Sequence, residues 1–244
     1  MEGCMSMKPI LFNTEMVRAI LDGRKTVTRR VVKPQPGEEL AYIWGGSNHG
    51  KWSFSPYNES RYEEHRAAND WKYWTPPYRS GDILYVRETW STKRSNDCLA
   101  QPCNTGTCQY ESCETAEGPC FPDEYIYKAT DSLPPYGGRK WRPSIHMPRE
   151  AARIWLRVTD VRVERLQEID EDGSIAEGCS AGRFETTGGP WGVEDDPDEW
   201  TAREDFSHVW DSTVRNTDRD CYGWAANPWV WVIEFERCEK PEEG

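Results

Sequence analysis

An α+β fold with a barrel-like sheet is predicted by three features of the 244-residue sequence. Short β-branched and aromatic runs recur near residues 10–12, 83–88, 125–127 and 229–235. One longer stretch, Ala152 to Leu166, places Ile154, Leu156, Val158, Val161 and Val163 at nearly period-two spacing, as in a strand with one covered face. Segments with helical apolar spacing are interleaved with these runs, and no linker or internal repeat separates two cores.

Taken in order, Ile10-Leu11-Phe12 suits a strand. Asn13 or Thr14 can cap a helix running to about Leu21, with Met16, Val17, Ile20 and Leu21 on one stripe and Gly23 at its C-terminal end. Arg24 to Arg30 then leads into the β-branched pair Val31-Val32. Residues 34–80 read as an insertion rich in Pro, Gly and aromatics, without a clear period. Gly81-Asp82 is a turn, and Ile83 to Glu88 a strand. Residues 93–123 form a second insertion, and Tyr125-Ile126-Tyr127 resumes the sheet. A proline-bearing loop over 131–148 precedes the long strand, which is expected to break at Thr159-Asp160. Ile169 to Gly178 reads as a short helix, 182–200 as a third polar insertion, and Thr201 to about Asp211 as a helix with Phe206, Val209 and Trp210 inward. Trp229 to Phe235 is the closing strand. The expectation is a single domain over 8–238, with tails at 1–7 and 239–244.

Composition narrows the function classes. The formal charge is −12, with 30% charged and 36% hydrophobic residues. Non-specific duplex binding is driven by cation-rich surfaces that release counterions. So acidic a chain suits a small substrate, or a short single-stranded segment held in one basic pocket; acidity serving solubility alone is the plainer alternative. No run approaches the roughly 18 apolar residues of a membrane span. Met1 to Lys8 has no apolar core of a secretory signal. Nine unevenly spread cysteines, an odd number, point to a reducing, cytoplasmic setting.

The order of several motifs resembles the ASCH family. These are Gly23-Arg24-Lys25-Thr26-Val27-Thr28-Arg29-Arg30 after the first helix and Gly81-Asp82-Ile83-Leu84-Tyr85-Val86-Arg87-Glu88 at a turn and strand. They continue with Leu166-Gln167-Glu168 leading to Ala176-Glu177-Gly178, and end with Asn227-Pro228-Trp229-Val230-Trp231-Val232-Ile233. Trp141-Arg142-Pro143-Ser144-Ile145-His146-Met147-Pro148 is similar to segments of proteins encoded by tailed phages and prophages. The resemblance implies a PUA-like β-barrel with a cleft for a nucleoside or RNA base. One bacterial branch of the family hydrolyses N4-acetylcytidine to cytidine and acetate with a Lys, a Thr and a Glu. The matching positions are Lys25, Thr28 and Glu177, with Glu168, Asp170 and Glu171 as rivals for the carboxylate. No cofactor is implied for that chemistry.

Amide hydrolysis needs an activated nucleophile or water, a proton shuttle and a stabilised oxyanion. With a reference pKa near 10.4, roughly one Lys in 2,500 is neutral at pH 7. Burial or the neighbouring Arg24, Arg29 and Arg30 would raise that fraction, and Glu177 would lower it. Two assignments stay open: Lys25 as the activated group, or Glu177 activating water while Lys25 stabilises the oxyanion. Residues three apart on a regular strand point to opposite faces, so Lys25 and Thr28 converge only if the chain turns between them. A plain solvated basic run is the alternative for Lys25, Arg29 and Arg30.

Further candidates line up behind these. Arg87, Trp90, His146 and Arg149 are expected, with Arg24, Arg29 and Arg30, to bind substrate, Trp90 as a stacking plate or as a core residue. Ser144 and His146 lack an acid partner for a hydrolase triad. Cys98, Cys103, Cys108 and Cys113 recur every five residues and invite a structural zinc, although no Cys-x2-Cys knuckle is present. The aromatics of 42–78 either stack on nucleotides or glue the insertion to the core. Three functions follow: a modified-pyrimidine amidohydrolase, a non-catalytic module binding RNA, single-stranded nucleic acid or a modified base, and a phage–host interaction protein.

Overall fold

The computed structural model describes residues 7–36, 42–46, 51–55, 72–93, 124–131, 140–183 and 199–241. Its strands are β1 (Met7–Leu11), β2 (Val27–Val31), β3 (Tyr42–Gly46), β4 (Lys51–Ser55), β5 (Lys72–Trp74), β6 (Ile83–Arg87), β7 (Trp90–Lys93), β8 (Glu124–Tyr127), β9 (Trp155–Arg165), β10 (Gly182–Arg183), β11 (Glu199–Trp200) and β12 (Trp229–Cys238). The α-helices are α1 (Thr14–Leu21), α2 (Glu171–Ala176), α3 (Ala202–Thr213) and α4 (Arg219–Tyr222). The α+β class follows directly, with a mixed sheet and few short helices.

The main sheet has the order β1-β6-β9-β12-β2. Its outer strands β1 and β2 do not pair, so among the described residues this is an open sheet rather than the closed barrel expected. Strands that a barrel would need are spent elsewhere. β3, β4 and β5 form their own antiparallel meander, and β7 pairs only with β8. Two expectations change accordingly. The 34–80 segment is not without period, and Tyr125–Tyr127 does not rejoin the main sheet.

Local signals held where the pattern was strong. Asn13 Oδ1 accepts from Met16 N at 2.8 Å and caps α1. Gly23 takes φ +76° beyond the helix end, a left-handed conformation that suits glycine. Along β9–β12, Glu234 pairs Asp160 and Phe235 pairs Val158, leaving Thr159 as the extra residue of a bulge where the strand was expected to break.

The chain divides into two compact units, Met1–Lys8 with Ala19–Leu84 and Trp155–Gly244, and Pro9–Arg18 with Tyr85–Ile154. In the first, Val27 and Val31 of β2 and Val230 and Val232 of β12 pack with Phe206 and Trp210 of α3, over Leu166, Ile169 and Cys179. Thr201 and Glu204 close a capping box that starts α3. In the second, Trp90, Met147 and Ala151 form a smaller cluster edged by Tyr125 and Tyr127. No helix among the described residues is long and apolar enough to cross a membrane.

Candidate functional site

The first unit buries a lysine. Past α1 the chain doubles back, with Arg24 N and Lys25 N both donating to Ala19 O. Thr26 is then held on both sides, its N–H donating to Ala176 O and its carbonyl accepting from Phe235 N. These bonds bring the Lys25 side chain against the end of α2. Its ammonium has three protons and finds three acceptors: Val27 O at 2.8 Å, Glu177 O at 2.9 Å and Glu177 Oε2 at 2.5 Å. The Lys25 side chain is 0% exposed and that of Glu177 4%.

Glu177 is placed by the way α2 ends. Asp170 Oδ1 accepts from Gly173 N and starts the helix, Glu177 is its C-cap, and Gly178 follows at φ +93°. A Cβ on Gly178 would lie 2.8 Å from Ala19 Cβ and 3.3 Å from Lys25 Cβ, so only glycine allows both the turn and the close approach of Lys25. The rival carboxylates serve the backbone instead. Glu168 accepts from Arg165 N, Asp170 caps α2, and Glu171 accepts from Ala202 N and Arg203 N at the start of α3. Of the four candidates, Glu177 alone bonds Lys25.

Arg29 extends the pair into a network. Its Nη1 donates to Glu177 Oε1 at 3.4 Å and its Nη2 to Glu164 Oε2 at 3.3 Å. Arg162 then donates to Glu164 at 2.5 Å and to Glu234. The buried Arg29 Nε has no hydrogen-bond partner among the described residues. Burial pushes the Lys25 ammonium below its ordinary pKa, opposed by the Glu177 charge, and Arg30 adds a smaller push downward. Arg30 is itself lowered, chiefly by burial. Burial, with the charges of Asp205 and Glu177, pushes the Cys179 thiol up to about 12.

Thr28 is buried in β2, and strand alternation sends its side chain to the face away from Val27 and Arg29. Among the described residues its hydroxyl makes no hydrogen bond to Lys25 or Glu177. Arg24 is exposed and holds Gly178 O and Asp22, whereas Lys25 and Arg29 are buried, so Lys25, Arg29 and Arg30 are not one solvated run. The other expected binding residues belong to the second unit. Arg87 donates to Met147 O at 2.7 Å and to Ile145 O, which ties down the proline-bearing loop. Trp90 is buried, with the Arg142 guanidinium 5.0 Å from its ring centroid and Tyr125 beside it. His146 is exposed and Arg149 half-buried, each in a short 3-10 turn. Cys98, Cys103, Cys108 and Cys113 lie outside the described residues, as do the side chains of the aromatics from Trp44 to Tyr73. Among the described residues no cluster of His, Cys, Asp or Glu is arranged to hold a metal ion.

The first unit contains a cavity of about 350 Å³ lined by Arg29, Arg30, Lys33, Trp210, Arg215 and Tyr222, among others. Lys33, Arg215 and Tyr222 were missed in the sequence, as was Glu164. Arg215 stands far along the chain from Lys33, and no local pattern links them. No family model, curated protein or solved structure matches the chain.

Proposed function

We propose that the protein is an amidohydrolase of PUA-like, ASCH-type fold that removes the acyl group from a modified pyrimidine nucleoside such as N4-acetylcytidine, in the cytoplasm of a bacterial cell. The observation that carries this reading is the fully buried Lys25 ammonium 2.5 Å from Glu177 Oε2. A desolvated lysine with a lowered pKa beside a carboxylate is a proton-transfer pair, and such perturbed groups concentrate at functional sites. The motif resemblance supplies the substrate class, and the distribution of carboxylate roles favours Glu177 over its rivals.

Of the two assignments, the hydrogen bonds favour Glu177 as base. Lys25 acts as donor in all three bonds given above; as Glu177 takes up a proton its Oε2 releases one ammonium N–H, which turns to the developing oxyanion. Glu177 takes a proton from the attacking water as the new oxygen–carbon bond forms. The same proton passes to the pyrimidine N4 as the carbon–nitrogen bond breaks, releasing cytidine and acetate. Thr28, whose side chain lies on the face of β2 away from Arg29, takes no part in this scheme. Incubation with N4-acetylcytidine should release cytidine and acetate. Lys25→Ala and Glu177→Gln, with secondary structure retained, should lose on the order of 10²–10⁴-fold in turnover. A wild-type protein inactive across acylated nucleosides would defeat the proposal.

A further inference from the structure

The cavity beside β2 is separate from the Lys25–Glu177 pair, neither of which lines it. Its walls come from β2 and the residues just beyond it, from the end of α3, and from the segment through α4. Among its ten lining residues are four cationic side chains, Arg29, Arg30, Lys33 and Arg215, against one carboxylate, Asp218. That is a strong local bias in a chain of formal charge −12. Two aromatic residues complete the wall. Trp210 is fixed by its indole N–H donating to Tyr222 O at 2.8 Å, and the Lys33 ammonium stands 4.7 Å from the Tyr222 ring centroid.

Arg29 stands at the inner wall of the cavity. Arg29 is 5% exposed, its two terminal nitrogens reach carboxylates only at 3.3 and 3.4 Å, and its Nε has no partner among the described residues. Guanidinium groups match phosphate oxygens in geometry as well as charge. About 350 Å³ is more than a bare phosphate fills and falls in the range of small-molecule sites.

We propose that this cavity binds the phosphate group of a nucleotide, with Arg29, Lys33 and Arg215 around the phosphate and Tyr222 beside the rest of the molecule. The phosphate half of this assignment rests on the cavity alone; the nucleoside half rests on the hydrolase reading. The ligand is therefore a nucleoside monophosphate, bound as substrate or as effector through a second contact outside the Lys25–Glu177 pair.

Calorimetric titration of the full chain with 5′-cytidine monophosphate, cytidine and inorganic phosphate tests it, alongside a short 5′-hydroxyl oligoribonucleotide. The monophosphate should bind more tightly than cytidine, compete with inorganic phosphate and weaken as salt rises. Lys33→Ala/Arg215→Ala, at two exposed positions, should weaken monophosphate binding by at least roughly tenfold with an unchanged circular dichroism spectrum. Equal binding of cytidine and its monophosphate would overturn the proposal, as would binding indifferent to the double substitution. Tighter binding of the oligoribonucleotide than of the monophosphate would overturn it in favour of an RNA-backbone site. Because the readout is binding, phosphate recognition without any N4-acetylcytidine turnover would sink the hydrolase reading and leave this site standing.

Discussion

Each compact unit buries a glutamate against a cation, and the two pairs differ in what the cation can do. In the second unit Arg153 grips Glu88 with two bonds, at 2.9 and 3.0 Å, and lies 4.0 Å from the Tyr127 ring centroid. Its side chain is still 28% exposed, and a guanidinium does not give up its proton in a protein. That pair is a clamp: it aligns the segment after β6 with the segment before β9 and holds Tyr127, whose hydroxyl burial pushes up to about 12. In the first unit the cation is a lysine, its side chain 0% exposed, held by a single short contact to the carboxylate and by two carbonyls. Burial pushes an ammonium so placed toward its neutral form, against the pull of Glu177. Burial of an ion pair alone does not mark a reactive centre; an ion pair whose proton can move does.

The largest expected effect follows from that contrast. Glu177→Gln should cut acyl-nucleoside hydrolysis on the order of 10²–10⁴-fold, whereas Glu88→Gln should leave turnover per folded molecule within about twofold, since it touches only the clamp. Equal losses from both substitutions would erase the distinction. Stability should separate them next. Glu177→Ala takes the carboxylate away from a dry ammonium and is expected to cost about 3–5 kcal/mol in urea denaturation. Glu88→Ala frees a guanidinium that can rehydrate and should cost about 1.5–3 kcal/mol.

Gly178→Ala should follow at about 1–3 kcal/mol, through its left-handed φ and the 2.8 Å approach to Ala19 Cβ. Because the added methyl would also press on Lys25 Cβ, it should lower turnover beyond what the stability loss explains. The smallest effect is a pH dependence. Lys25 has its folded pKa lowered, so in the window below the ordinary 10.5 the unfolded chain binds more protons than the folded one. Stability of the wild type relative to Lys25→Met should therefore rise as pH climbs toward 10.5, and urea midpoints measured across that window would show it. A falling difference would mean that Glu177 outweighs desolvation.

How much of this was legible in the sequence depended on range. The α1 stripe with its Asn13 cap, the β6 run and the β9 break at Thr159 are local patterns, and each appears close to where its spacing placed it. The β3–β5 meander was missed although Lys51–Ser55 alternates Trp52 and Phe54 with serines; dense Pro, Gly and aromatic flanks obscured a period of two that lasts only five residues. The closed barrel failed because pairing of outer strands is a property of the whole sheet. Lys25 and Glu177 stand 152 residues apart, so their meeting was visible only through the motif resemblance. The cationic cavity had no such guide, because only the packing of α3 and α4 beside β2 brings Arg215 and Tyr222 to Arg29 and Lys33.

The desolvation of the Lys25 ammonium is the central point, and nuclear magnetic resonance reads it directly. The Lys25 Cε and Nζ shifts, assigned by their loss in Lys25→Met, can be followed as pH is raised on the folded protein. The account predicts a titration midpoint below 10.5, moved further down in Glu177→Gln where the opposing charge is gone. A wild-type midpoint at or above 10.5 would make Lys25–Glu177 a second clamp, no different in kind from Arg153–Glu88.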